Sequence, residues 1–355
     1  MKRFALIGLV MLAAGAAVAA LPDGPKVLLL YDMEGVTGAS SVRHVNVGDD
    51  PEYSAARRSL TDDVNAAIAG LKAAGAAEIV VVDGHGSGNG QEPDVFEAEL
   101  LPPAKMIERT RPFDIYMDSY DQSFDAIVAV AMHAGAGNPD GFLSHTYTIQ
   151  DIGYRVNGIP FNESMILAMG AARVGIPLIM VCGDDVLETE IHRFLPWVAY
   201  ATVKHAESRA KAEPLARAEA SRRIEEAARK ALQSLDRARL PEIARAPFRF
   251  VLTFQNDGQA RAAAMLQGAE ALPDTPAVQI LADDFENGYR RSLDLISLAG
   301  LALQLQSARA AIQAQPNAAA IQKKAGEITT ERWLQPPVPA PPAPPTPPRR
   351  YYGAR

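Results

Sequence analysis

Asp32 and Glu34 stand two residues apart where the apolar run "KVLLLY" (26–31) ends, in the stretch "LLLYDMEG" (28–35). In extended backbone, side chains at i and i+2 point to the same side. Two negative charges must therefore share one place beside low-dielectric protein, where they would repel until one took up a proton. A divalent cation removes that cost. Three further apolar runs also end on groups that bind metals: "EIVVV" (78–82) runs into Asp83 and His85, "DAIVAVAM" (125–132) into His133, and "PLIMVC" (177–182) into Asp184 and Asp185. Carboxylates combined with neutral imidazoles suit zinc or a similar first-row metal. A pair of such ions held by shared carboxylates would polarise a carbonyl and generate hydroxide near neutral pH.

A lone Asp after a strand is usually a cap or turn former, so the weight rests on four strand ends repeating the pattern. Asp83 either orients His85 or binds metal itself, and the orienting role fits it better. In "GFLSHTYT" (141–148), Ser144 lacks the G-x-S-x-G turn of an activated nucleophile. His145 is the better working residue, as acid/base or as nucleophile toward an acyl carbon. His44, His192 and His205 lie in a polar loop or helical stretches and read as structural. "GHGSGNG" (84–90) fails as a phosphate loop, because no helix follows it directly and its register is not the dinucleotide fingerprint; it reads as a flexible active-site loop.

The elements that must position these groups alternate short apolar runs with helical stretches, the signature of an α/β fold with a parallel sheet and crossover helices. The carboxyl ends of such strands line one crevice. Residues 54–73, ending at Gly75, form the first crossover helix, and 163–174 form another. Residues 26–200 thus make a metal-binding catalytic α/β domain. A smaller α+β portion over 201–305 would hold a charge-laced helical region (204–235) broken near Pro214, strands 248–254 and 277–281, and a helix over about 285–304. Residues 307–330 are helical at best and loosely attached.

The two ends differ in kind. Residues 1–20 read as a signal peptide, with a basic start (Met1–Arg3), an apolar run (Phe4–Val18) and a small-residue cleavage site. An uncleaved anchor is the alternative, although the run falls short of the roughly 20 residues a span needs, and no later stretch reads as a membrane span. The chain is expected to be periplasmic or secreted. Without Lys2 and Arg3, 33 basic residues face 42 acidic ones, a formal charge of -9, which excludes nucleic acid as a natural partner. The single cysteine, Cys182, reads as a buried core thiol. "QPPVPAPPAPPTPPRR" (335–350), with nine prolines in sixteen residues, makes an extended tail: a spacer, a ligand for a partner, or simply solvated.

Taken together, "YDMEGVTG" (31–38), "VVDGHG" (81–86), "AMHAG" through "SHT" (131–146), "NGIPFNESMILA" (157–168), "VCGDD" (181–185) and "NDGQA" (256–260) resemble, in order, the DppA family of D-aminopeptidases, the M55 peptidases. The resemblance covers about residues 26–303. It implies a two-zinc site made by Asp32, Glu34, His85, His133 and Glu163, with His145 as catalytic histidine. Glu163 enters through the resemblance alone, since a glutamate opening a helix is ordinarily just a favourable first-turn charge. The resemblance also implies a ring-forming homo-oligomer and short peptide substrates with an N-terminal D-amino acid such as D-Ala. The signal peptide and proline-rich tail depart from the family pattern, and Gly84 stands where the family has a serine.

The expectation is a zinc-dependent aminopeptidase acting outside the cytoplasm, with Asp184 or Asp185 receiving the substrate's amino terminus. Its rivals are a metallohydrolase of another amide or ester bond and a non-catalytic metal-dependent binding protein of the same fold.

Overall fold

The computed structural model describes residues 24–48, 51–86, 92–335 and 349–353. The expected signal peptide, the centre of the 84–90 loop and the prolines of the tail lie outside the described residues.

The apolar runs become the middle of a seven-stranded sheet. In chain order its strands are β1 (Lys26–Tyr31), β2 (Glu78–Asp83), β3 (Ala104–Met106) and β4 (Ala126–Met132), and β5 (Asp151–Val156) and β6 (Ile159–Pro160) leave it for a second sheet. β7 (Leu178–Asp184), β8 (Ala199–Ser208) and β9 (Lys211–Pro214) complete it, in the order β3-β2-β1-β4-β7-β8-β9. All pairs are parallel except β8 with β9. β4 and β7 are buried at every residue, as strands covered on both faces must be. The period of two is visible in β1: Val27, Leu29 and Tyr31 join one core cluster, while Leu28 and Leu30 join the other.

The first cluster lies beneath two helices, α1 (Glu52–Ala73) and, further along the chain, Arg217–Gln233. The latter buries Ala220, Ile224, Ala228, Ala231 and Leu232, one stripe at helical spacing, and leaves its charges outside. At Gly70 of α1 a Cβ would sit 2.2 Å from the Glu225 carbonyl oxygen, so this helix pair needs a residue without a side chain there. The second cluster takes in α2 (Glu163–Ala172) and α3 (Asp185–Phe194) together with the second sheet. With α2 and α3 placed, Arg217–Gln233 is α4.

Residues 204–214, expected to be helical, belong instead to the β8–β9 hairpin. Their alanine and charge content favours helix locally, but pairing of Met180–Gly183 with Ala199–Thr202 extends the sheet and overrides that preference. Only after Pro214 does the helix begin.

The second sheet is antiparallel, in the order β11-β12-β10-β5-β6, with β10 (Phe248–Phe254), β11 (Ala269–Ala271) and β12 (Ala277–Ala282). β5 and β6 join through Asn157-Gly158, both at positive φ (51° and 84°), the two-residue turn that suits a twisted hairpin. This sheet draws strands from both sides of residue 200, so the two sheets do not divide the chain there. α5 (Asp257–Ala263) and α6 (Phe285–Gln313) cover it.

α6 runs nine residues past the expected end at 304. It is long and apolar enough to cross a membrane by length and composition, unlike the expectation that no later stretch would be. Its first half is nonetheless a core element, with Phe285, Tyr289, Ser292, Leu295, Ile296 and Ala299 buried. α7 (Ala318–Leu334) buries no residue. Beyond the prolines the chain comes back to the first sheet: Tyr351 bridges Arg109 in antiparallel fashion and Tyr352 is buried.

Candidate metal centre

The turn after β1 carries Asp32 and Glu34 over the end of β4. Asp32 N donates to Val130 O at 2.9 Å and Gly35 N to Ala131 O at 2.8 Å. The approach is so close that a Cβ on Gly35 would lie 2.1 Å from Met132 O. From below, the fully buried Lys204 of β8 donates its ammonium to Glu34 O at 2.8 Å and Ala39 O at 2.9 Å. Burial pushes the Lys204 ammonium down to about 7 against the pull of Asp184, Asp63 and Glu34.

His133 follows directly on β4. Its Nδ1 donates to Ala134 O at 3.0 Å, which leaves Nε2 facing Asp32 Oδ2 at 3.3 Å and Glu163 Oε2 at 3.6 Å. Two residues earlier Ala131 sits at φ +60°, an uncommon conformation for a residue with a Cβ, and its N–H reaches Cys182 Sγ at 3.2 Å. Cys182 is therefore a buried support for this turn. Glu163 is the first residue of α2, which Asn162 caps by accepting from Met165 N at 2.9 Å. Both carboxylate oxygens of Glu163 are held, Oε2 by the Tyr116 hydroxyl and Oε1 by Tyr147 N, each at 2.5 Å.

His145 lies flat on His133, ring centroids 4.1 Å apart and planes 12° apart. Its Nδ1 donates to Leu143 O at 2.8 Å, and its Nε2 stands 3.9 Å from Glu163 Oε1. His85 enters from the end of β2 and donates Nδ1 to Asp94 Oδ2 at 2.8 Å. Asp94 also accepts from the Tyr53 hydroxyl. Asp83, expected to orient His85, does so at one remove: its carboxylate accepts from Gly86 N at 2.9 Å and Asp94 N at 3.2 Å, and Asp94 holds the ring.

Two groups of donors result: Asp32, Glu34 and His133, and His133, His145 and Glu163, each with one ligand atom per residue within 4.8 Å of the others. His133 belongs to both. His85 lies outside these groups; burial disfavours its charge, but the hydrogen bond to Asp94 and the charges of Glu34, Asp94 and Asp32 outweigh it and raise the ring to about 10. Burial, then the charge of Glu34, pushes the Asp32 carboxyl well above the usual range. Burial also disfavours the Glu34 charge, but His85, His145 and His133 outweigh it and draw the carboxyl down. Burial would lower His133 as well, yet Glu163 and Asp32 carry it well above the ordinary histidine value, whereas burial and His133 lower His145. Such a crowd of buried carboxylates and imidazoles is costly without a partner. Two of its atoms, Glu34 Oε2 and His133 Nε2, are buried with no hydrogen-bond partner. The donor set and these orphaned atoms fit a divalent cation.

Asp184 and Asp185 do not fit the role expected of them. Asp184 caps α3, accepting from Leu187 N at 2.7 Å and Phe142 N at 3.0 Å. Asp185 holds the β8 edge through Ala206 N and His205 Nδ1, both at 2.9 Å. A strand that runs straight into a helix needs its acidic residues as caps. Ser144 donates to Asn138 O at 2.5 Å and faces Arg209, away from any base. Sequence reasoning does not find Tyr116, Asp94 or Lys204. Asp94 alone leaves a trace, a carboxylate nine residues past His85. A cavity of about 760 Å³, lined by Gly135, Asn138, Arg155, Glu190 and Arg193 among others, touches none of the six site residues.

The sequence profile of the D-aminopeptidase family Peptidase_M55 matches residues 26–292. A D-aminopeptidase of Bacillus subtilis (strain 168) is 30% identical over 279 residues, covering 77% of this chain and 97% of that protein. The solved structure of the Zn-dependent D-aminopeptidase DppA from Bacillus subtilis, a self-compartmentalizing protease, superposes with a TM-score of 0.70 at 29% identity, again over 77% of this chain and 97% of that one. Order of motifs, fold and relatives agree: the chain belongs to the M55 family of D-aminopeptidases.

Proposed function

We propose that this protein is a zinc-dependent aminopeptidase that releases N-terminal D-amino acids, D-Ala among them, from short peptides outside the cytoplasm. The observation that carries the reading is the pair of buried donor groups meeting at His133. In this reading Asp32, Glu34, His85, His133 and Glu163 would hold two zinc ions. Zinc there supplies Lewis acidity to a scissile carbonyl and makes attack by water feasible near neutral pH. The zinc dependence and D-specificity of the Bacillus relatives support this assignment, and the self-compartmentalizing assembly of DppA supports a homo-oligomeric ring. The basic-then-apolar residues 1–20 support export.

His145 is the proton carrier. Its Nδ1 is committed to Leu143 O, so the neutral ring carries its lone pair on Nε2, and burial and then the charge of His133 favour that neutral form. Nε2 takes a proton from the attacking water and returns it to the leaving amine. Tyr116 and Tyr147 fix Glu163 so that it does not swing toward that proton.

The test is His145→Ala, assayed on matched D-Ala and L-Ala dipeptides with elemental analysis of the purified chain. The expected result is about two zinc ions per chain in both proteins, D-selective release by the wild type and loss of release by the variant. Hydrolysis by a metal-loaded variant would remove His145 from its role, and a wild type that takes up no zinc when zinc is abundant would overturn the whole reading.

A further inference from the structure

Residues 349–353 occupy the place beside β2 that β3 leaves vacant when it ends at Met106. Tyr351 N donates to Arg109 O at 2.8 Å and Arg109 N to Tyr351 O at 3.0 Å. On the other side Asp83 N donates to Tyr352 O at 3.1 Å. Side chains add to the grip: Arg350 pairs with Glu108 at 3.2 Å, and Tyr352, 5% exposed, directs its hydroxyl to Glu97 at 3.4 Å. Gly353 packs so tightly that a Cβ there would lie 2.0 Å from Asp83 O. This is strand addition to an open edge, in which backbone bonds give affinity and buried side chains give register.

The residue gripped is Asp83. Its carboxylate organises the loop that follows, through Gly86 N and Asp94 N, and Asp94 in turn holds the His85 ring. A continuous set of hydrogen bonds thus runs from Tyr352 to the imidazole. The family profile ends at residue 292, so the segment 349–353 lies beyond the region it matches, while the residues it grips lie within it.

We infer that the C-terminal segment Tyr351-Tyr352-Gly353 is a positioning clamp that orders the His85 arm of the metal centre. The inference rests on the proposal that His85 is a zinc ligand. Loss of the group that orients a metal-ligating histidine typically costs about 10- to 100-fold in metal affinity, and here that group, Asp94, is itself held through Asp83.

The experiment compares the full chain with a chain ending at Pro348, with Gly353→Ala, and with Gly326→Ala, where a Cβ meets nothing within 4 Å. Zinc affinity is read by competition with a chromophoric chelator, and hydrogen exchange at the Asp83 and Asp94 amides is read on the metal-free proteins. The expected result is weaker zinc binding, about tenfold or more, and faster exchange in the truncated chain and in Gly353→Ala, with Gly326→Ala unchanged. A synthetic RRYYGAR peptide added to the truncated chain restores both. Unchanged exchange in the truncated chain, or failure of the peptide to slow it, overturns the clamp. Loss of exchange protection without any zinc binding in the full chain would instead overturn the metal reading and leave the clamp as a purely structural one, refuting its role at the metal centre.

Discussion

Tyr116→Phe removes one oxygen atom and tests whether this tyrosine, silent in the sequence, governs the metal centre. The ring is 2% exposed and packs edge-on to Tyr289 at 6.2 Å, so phenylalanine fills the same space. The hydroxyl donates at 2.5 Å to Glu163 Oε2, whose remaining neighbour, His133 Nε2, is 3.6 Å away. A buried hydrogen bond to a charged group is worth about 1.5–3 kcal/mol. The metal-free variant should lose stability of that order in urea unfolding. Zinc affinity should fall as well, by about 10- to 100-fold, because the carboxylate is no longer held in one orientation. Burial disfavours the Glu163 charge, and His133, His145 and the Tyr116 hydroxyl outweigh it and hold the carboxyl well below its usual range. Urea unfolding of the metal-free protein and chelator competition read the two effects. If affinity and urea midpoint both match the wild type, the hydroxyl is a bystander and Glu163 does not depend on it for either its orientation or its charge.

Gly35→Ala should destabilise the metal-free protein by about 1–3 kcal/mol or more, since its Cβ would meet backbone rather than a movable side chain; a urea midpoint within error of wild type would show that the turn can yield. Burial holds the Asp63 carboxyl up at about 6, above its unfolded value of 3.8. Its contribution is fully present below about pH 4 and lost as pH rises to about 6, a change on the order of 3 kcal/mol. Wild-type stability relative to Asp63→Asn should fall over that window and level off above it, and a flat difference would mean that Asp63 ionises normally. The Cys182 thiol, buried and pushed up by that burial, should be silent to a disulfide reagent in the native protein and react once per chain after unfolding. Rapid labelling of the native chain would contradict the packing beneath Ala131.

The strand ends are legible because each apolar run stops abruptly on a polar residue, and a parallel sheet gathers its carboxyl ends at one crevice. Asp32, Glu34, His85 and His133 follow from that rule. Glu163 does not, since nothing local separates a ligand from a first-turn charge, and only the resemblance marks it. Tyr116 and Lys204 act across 47 and 170 positions on the groups they hold, distances at which spacing carries no information. The 204–214 hairpin reads as helix because its composition answers to local helix preference, while its structure answers to the free edge of β7. Asp184 misleads for the opposite reason: the ordinary capping role is the true one.

Lys204 also has a bearing on how the protein is made. A ribosome delivers the chain from its N-terminus, so all six site residues have been synthesised once Glu163 is added. At that moment the Glu34 turn has no ammonium beneath it, β5 has no β10 at its side, and the sheet ends at β4. A product arrested between residues 163 and 204 would own every ligand-type side chain but lack the ammonium that props the Glu34 turn. The order of synthesis thus places the prop of the Glu34 turn after the last of the candidate ligands, so the turn gains its support later than its carboxylates.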